Sequence, residues 1–256
     1  MSGTKKEVVL RARQLCKTFS NGGVQQHILK NLEVEIYRGD FTIIMGASGA
    51  GKSTLMYALS GMDQPTLGDI LFCGQEITKQ SDDQLAVFRR KNCGFVFQQI
   101  YMMDNMSLFD NTMASGLLIS KNKKAVADYA KELFSKVNME PVTYKKTATQ
   151  VSGGEAQRAG IVRALINKPS VLFADEPTGA LNSSNSEAVL DVFTDFHREG
   201  QSIVMVTHDL RSAMRGNRVI YLRDGQIQGE CDLGMYNEAD VERRHKLDAF
   251  LNEMGY

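Results

Sequence analysis

The nine residues Gly46-Ala-Ser-Gly-Ala-Gly-Lys-Ser-Thr54 combine the side chains and the gaps that a polyphosphate requires. Gly46, Gly51, Lys52 and Ser53 fit the spacing G-x-x-x-x-G-K-[ST]. Gly46, Gly49 and Gly51 carry no side chain, so backbone at Ala47, Ser48 and Ala50 can wrap phosphate oxygens with N–H groups. Lys52 would reach the β- and γ-phosphates, and the Ser53 hydroxyl would ligate Mg²⁺. An apolar run at 41–45 precedes the loop and a helix-like stretch at 55–59 follows it. Strand, glycine loop and helix is the setting that separates a phosphate cradle from a flexible turn, and the helix start adds partial positive charge.

Two further constellations carry chemistry. Val171-Leu-Phe-Ala-Asp-Glu176 ends an apolar strand on adjacent carboxylates. A strand-end Asp holds Mg²⁺ in enzymes with this loop, and Asp175 fits that role, directly or through water. Neighbours on a strand face opposite ways, so Glu176 cannot duplicate Asp175. Where the chain leaves the strand, Glu176 could reach a water aligned on the γ-phosphate. The bland alternative, a solvated acidic loop, ill fits the apolar strand before it. In Val151-Ser-Gly-Gly-Glu-Ala-Gln-Arg158, Ser152 and Glu155 have capping-box spacing and start a helix. Gly153 and Gly154 in its first turn are poor helix formers, which makes sense if the backbone there must lie against an anion. One phosphate loop plus a second phosphate-facing helix start suggests a nucleotide shared between two chains.

The elements that must position these groups alternate in type. Leu32, Val34 and Ile36 alternate with Glu33 and Glu35, as in a half-buried strand; 8–19 and 41–45 are further strands. Ser81-Asp-Asp-Gln84 caps a short helix running to Arg90, and 94–97 is a short apolar strand. From 100 to 166 helical periodicity replaces strand signals, with Ala130, Leu133, Phe134 and Val137 on one face. Strands return at 171–174, 203–206 and 219–222, with a helix at 186–198 between the first two. A tail at 237–256 reads as one amphipathic helix with Val241, Leu247, Phe250 and Leu251 as its apolar residues. Strands alternating with helices imply an α/β core, 1–99 and 167–228, around a mainly parallel sheet, interrupted by a helical insert at 100–166.

Bulk properties exclude several classes. The 256 residues suffice for one large domain or two small lobes. Lys+Arg and Asp+Glu stand at 30 each, which argues against a chain built to coat nucleic acid. No apolar run approaches the ~20 residues that span a bilayer. The first residues, MSGTKKEVV, are charged and lack an apolar core, so a secretory signal is not expected. Cys16, Cys73, Cys93 and Cys231 form no C-x-x-C pair and read as reduced, half-buried thiols.

Taken in order, GASGAGKS, FVFQQ, VSGGEAQR, VLFADEPTGALN and VMVTHD resemble the motif series of the ATP-binding subunits of ABC transporters, over nearly the whole chain. The resemblance implies a P-loop α/β fold with an antiparallel β subdomain and a helical insert, acting on ATP with Mg²⁺. It places Phe19 against adenine and Gln98 on Mg²⁺ and the attacking water. By the same resemblance Ser152, Gly153, Gly154 and Glu155 bind the γ-phosphate of ATP held by a second copy. Glu176 is matched to the hydrolytic glutamate and His208 to a histidine contacting the γ-phosphate. Glu155 stands where Gln is commonest and keeps the capping box. Asn182 stands where Asp is usual and lacks the charge that would act across the dimer, which bears on turnover and not on nucleotide binding.

MGASGAGKSTL, GFVFQQ and FADEPTGALN are most similar to bacterial macrolide-export, lipoprotein-release and peptide-antibiotic-resistance ATPases, which work with FtsX-type permeases. The expectation is an ATPase at the cytoplasmic face of the cell membrane, powering export of, or resistance to, antimicrobial peptides or related amphiphiles. Tyr101, Met102, Met103, Met106, Leu108 and Phe109 make an unusually apolar region that could dock the permease or pack the insert. A soluble ABC ATPase acting on nucleic acid would call for tandem cassettes or basic patches. A small-molecule kinase would leave Ser152-Gly-Gly and His208 unexplained.

Overall fold

The computed structural model describes residues 6–256; the first five residues of the charged N-terminal stretch read above lie outside it. In chain order the elements are β1 (Val8–Asn21), β2 (Val24–Tyr37), β3 (Phe41–Met45), α1 (Lys52–Leu59), β4 (Leu67–Phe72), β5 (Gln75–Glu76), α2 (Asp82–Asn92) and β6 (Cys93–Phe97). They continue with α3 (Leu108–Gly116), α4 (Lys123–Lys136), α5 (Pro141–Tyr144), a 3₁₀ turn (Ala148–Gln150), α6 (Gly153–Leu165), β7 (Val171–Asp175) and α7 (Ser183–Arg198). The last are β8 (Ser202–Val206), α8 (Leu210–Arg215), β9 (Arg218–Arg223), β10 (Gln226–Asp232) and α9 (Val241–Met254).

The chain forms two compact units: the residues up to Ala86 with Gly200–Tyr256, and Val87–Glu199. In the first, β2, β1, β4 and β5 make an antiparallel sheet. The long β1–β2 pairing follows from the alternation at Leu32, Val34 and Ile36, all buried on one face. The same unit holds β3 between β8 and β9, parallel to both, with β10 antiparallel on β9. β3 and β8 are buried at every residue, as strands covered on both faces must be.

In the second unit β6 and β7 pair in parallel, and the helices have clear sequence causes. Asn122 caps α4, whose Val126, Ala130, Leu133 and Phe134 are buried. Phe134 stacks on Tyr144 at 4.7 Å between centroids, and Phe109 joins them at 5.5 Å from Tyr144. Asn182 caps α7, which therefore starts three residues earlier than its apolar periodicity indicates. Across 100–166 the only pairing between extended residues, among the described residues, is one bridge between Ser107 and Thr147.

Several expectations need correction. Val241 is not on the buried face of α9; it is 78% exposed, and the charged Arg243 is buried instead. Cys93 and Cys231 are buried and Cys16 half-buried, but Cys73 is exposed; all four are free thiols. Of the apolar region after Gln98, Leu108 is core.

Candidate nucleotide-binding site

In the first unit the phosphate loop joins β3 to α1. Gly46 has φ +149, and a Cβ there would run into the Leu222 carbonyl of β9, so no other residue fits without moving backbone. Gly51 has φ +99 and is the N-cap of α1. No side chain caps this helix and its first turn holds no acid, so its leading N–H groups suit an anion. The Lys52 ammonium donates to the carbonyls of Gly46 (2.9 Å) and Ala47 (3.0 Å), which folds the lysine back over its own loop. Ala47, Ser48 and Gly49 are exposed, Gly46, Ala50 and Gly51 buried, and Lys52, Ser53 and Thr54 half-buried.

The same edge of this unit carries His208. Ile44 of β3 pairs with Val206 of β8, so Gly46 and His208 each lie two residues beyond a matched pair of parallel strands. Thr207, between strand and histidine, is buried and donates its N–H to Ile44 (3.3 Å). Asp209 caps α8 by accepting from Ser212 N–H (3.2 Å) and Ser212 Oγ (2.9 Å). Phe19 lies on β1 and is 47% exposed. The Lys17 ammonium sits 4.9 Å from its ring centroid and is itself held by Asp63 Oδ1 (2.6 Å) and the Gln64 carbonyl (2.7 Å).

In the second unit the carboxylates and the glutamine come together. β6 and β7 pair in register from Cys93↔Val171 to Phe97↔Asp175, so Gln98 and Glu176 leave adjacent strands at the same step. Glu176 takes φ +47, a left-handed conformation that costs a non-glycine residue about 1–3 kcal/mol and concentrates at functional positions. That turn is what separates it from Asp175, and it closes with Gly179 N–H donating to the Glu176 carbonyl (3.0 Å). Gln98 lies over the turn: a Cβ on Gly179 would stand 3.0 Å from Gln98 Nε2.

Ser152 to Glu155 begin α6 in a complete capping box. Glu155 N–H donates to Ser152 Oγ (3.2 Å) and Ser152 N–H to Glu155 Oε2 (2.8 Å). The backbone N–H and then the hydroxyl of Ser152 hold the Glu155 carboxyl below the usual carboxylate range. The two glycines have a local reason as well. A Cβ on Gly154 would lie 2.7 Å from Asn185 Oδ1, and one on Gly153 would lie 3.2 Å from Leu181 Cδ2, so the start of α7 packs directly on the start of α6.

Sequence reasoning missed the residues that hold these loops. Gln157, buried in α6, donates to the Phe97 carbonyl (2.9 Å). Arg163 donates to the carbonyls of Ile100 (2.7 Å) and Tyr101 (2.5 Å), and burial pushes its guanidinium down from the usual range. Asn111, buried in α3, accepts from Met103 N–H (2.8 Å) and donates to the carbonyls of Met103, Met106 and Ser107. Gln157 and Arg163 bond backbone about 60 residues away, which no local pattern encodes, whereas Asn111 ties down the loop just before its own helix. The backbone of the loop after Gln98 is thereby held while two large apolar side chains stay exposed, Tyr101 at 64% and Met103 at 50%.

A glycine loop between buried strand and uncapped helix, with a lysine and serine opening that helix, defines a P-loop nucleoside triphosphatase. The sequence profile of the family described as ABC transporter matches residues 29–179, and the chain belongs to that family as an ATP-binding and hydrolysing cassette with the corresponding mixed-sheet fold and helical subdomain. It is 38% identical over 238 residues to the macrolide export ATP-binding/permease protein MacB of Chlorobaculum tepidum, covering 92% of this chain and 34% of that one. The MacB of Pectobacterium atrosepticum is 36% identical over 219 residues, again covering 34% of its own length. The chain thus spans about a third of the curated relatives it matches. Among solved structures, the dimeric post-hydrolysis state of the ATP-binding cassette MJ0796 bound to ADP and Pi is similar at TM-score 0.81 and 32% identity, over 89% of this chain and all of that one. CbiO1 of Clostridium perfringens, part of the cbiONQ ABC transporter complex, shares the fold at TM-score 0.80 and 24% identity, over 98% of each chain.

Proposed function

We propose that this chain is the ATPase subunit of a bacterial ABC transporter, in which two copies close head to tail on two Mg-ATP and drive a membrane permease. The observation that carries the proposal is the grip of α6 on the loop after Gln98. The helix that opens with Ser152-Gly-Gly-Glu also holds, through Gln157 and Arg163, the carbonyls of Phe97, Ile100 and Tyr101. Displacing that helix start therefore displaces exposed Tyr101, which with exposed Met103 two residues on makes an adaptable apolar surface suited to a permease segment.

Within each site, Lys52 and the N–H groups from Ala47 to Thr54 bind and orient the phosphates, Phe19 stacks the adenine, and His208 donates to the γ-phosphate. Glu176 holds the attacking water in line and takes its proton, while Gln98, beside the Glu176 turn, orients the same water. Ser152, Gly153, Gly154 and Glu155 of the second copy close the site over the γ-phosphate. Mg²⁺ suits an oxygen donor set of Ser53, Gln98 and Asp175 completed by phosphate and water; among the described residues no group of three His, Cys, Asp or Glu forms a protein-only metal cage. Bound there, it would neutralise charge developing on the phosphates.

No helix among the described residues is long and apolar enough to cross a membrane; the proposed place at the cytoplasmic face rests on the proposed binding to the permease. The motif resemblance supports an FtsX-type partner with antimicrobial peptides or related amphiphiles as cargo, and relatives named for macrolide export favour an export role over lipoprotein release. Replacing Tyr101 and Met103 with Glu should abolish co-purification with the permease and leave ATP binding intact. Full retention of the complex would place the docking surface elsewhere.

A further inference from the structure

Helix α9 holds the segment that follows His208 at both of its ends. At the far end, buried Arg243 donates from Nε to the Met214 carbonyl (2.6 Å) and from NH2 to the Gly216 carbonyl, which fixes the exit of α8. At the near end, the Tyr256 hydroxyl donates to the His208 carbonyl (2.8 Å).

The tyrosine is aimed there by three features. Gly255 takes φ +76 at the end of α9, and Tyr256 N–H donates back to the Leu251 carbonyl (3.0 Å), the glycine-dependent reversal that ends many helices. The Tyr256 ring meets buried Tyr221 of β9 edge-on, with centroids 6.3 Å apart. Arg223 NH1 donates to the Met254 carbonyl (3.1 Å), tying the helix end to the same strand.

We infer that Tyr256 is a positioning residue for His208: its hydroxyl fixes the backbone from which the imidazole reaches the γ-phosphate. The inference rests on the proposed role of His208. A neutral hydrogen bond to an exposed tyrosine stands at the low end of the usual range, so losing it should slow turnover by about two- to fourfold. Substrate affinity should barely change, because the phosphate loop is untouched.

The test measures kcat, KM for ATP and melting temperature for the parent chain, Y256F, H208A and the double variant. Y256F keeps the ring against Tyr221 and removes only the hydroxyl. The expected result is a lower kcat at constant KM and near-constant melting temperature, with no further loss when Y256F is added to H208A. A parental kcat for Y256F, or the same proportional loss with and without His208, would overturn the inference while leaving the proposed function standing. A parental rate for H208A would overturn both.

Discussion

Replacing Arg243 with Met tests whether α9 is part of the working machine or an appendage. Arg243 is 3% exposed, and its guanidinium donates to five carbonyls: Met214 (2.6 Å), Gly216, Leu233 (2.9 Å), Gly234 (3.1 Å) and Met235 (3.3 Å). Gly234 and Met235 are exposed and can turn to water, whereas Gly216 and Leu233 are buried and Met214 half-buried. Each of those three acceptors, left unpaired, costs about 1–3 kcal/mol. Removing a buried charge returns part of its desolvation cost, so a net loss of about 3 kcal/mol is expected. For a chain of this size that lowers the melting temperature by about 6–12 °C. The assay is a calorimetric melt of the parent, R243M and R243K, with ATP turnover measured well below each transition. R243K should fall between the others, because an ammonium can reach only some of the five carbonyls. Turnover of R243M should drop at least as far as that of Y256F, since the segment after His208 loses its far anchor. R243M melting within about 2 °C of the parent would refute the assignment of Arg243 as the anchor of α9.

Glu155→Gln should keep the cap of α6, because the amide oxygen can still accept the Ser152 N–H. The Glu155 carboxyl is held below its ordinary value of 4.5, so its contribution is present above that pH and fades as pH falls through the lowered value; acid melts of E155Q should lack this loss, and parallel acid profiles would contradict it. Asn182→Asp replaces one good N-cap with another at the start of α7, so its stability should stay within about 0.5 kcal/mol, and a larger loss in a denaturant titration would show that the amide does more than cap. Lys52→Ala should lose nucleotide affinity in a direct binding titration with little change in melting temperature, because the ammonium bonds only two carbonyls of its own loop; unchanged affinity would remove Lys52 from the site.

Period-2 and period-3.6 patterns exposed β2, β3, β7, β8 and α4 because those elements bury one face or both. β4 and β10 escaped notice: their side chains are largely polar or half-exposed, and their place is fixed by pairing with β1 and β9. The inversion at α9 has a physical cause. An exposed Val costs little, and a buried Arg is acceptable once its donors meet carbonyls from two other segments. At the candidate site, the P-loop and the capping box were legible because their chemistry is local. The adjacency of Gln98 and Glu176 was not, since it depends on the parallel register of β6 and β7. The left-handed turn at Glu176 was equally hidden, as no glycine marks it. Gln157, Arg163 and Tyr256 read as unremarkable polar residues until distant carbonyls meet them.

The central claim, hydrolysis at a site shared by two copies with Glu176 as base, is tested most directly by sizing Glu176→Gln with and without nucleotide. The amide can still hydrogen-bond the attacking water but cannot take its proton, so hydrolysis should fall by about 10²–10⁴-fold while ATP binding survives. ATP then persists at the interface. On light scattering coupled to gel filtration, E176Q should run as a dimer in Mg-ATP and as a monomer without nucleotide. E176Q that hydrolyses ATP at the parent rate, or that stays monomeric in saturating Mg-ATP, would contradict the shared-site account.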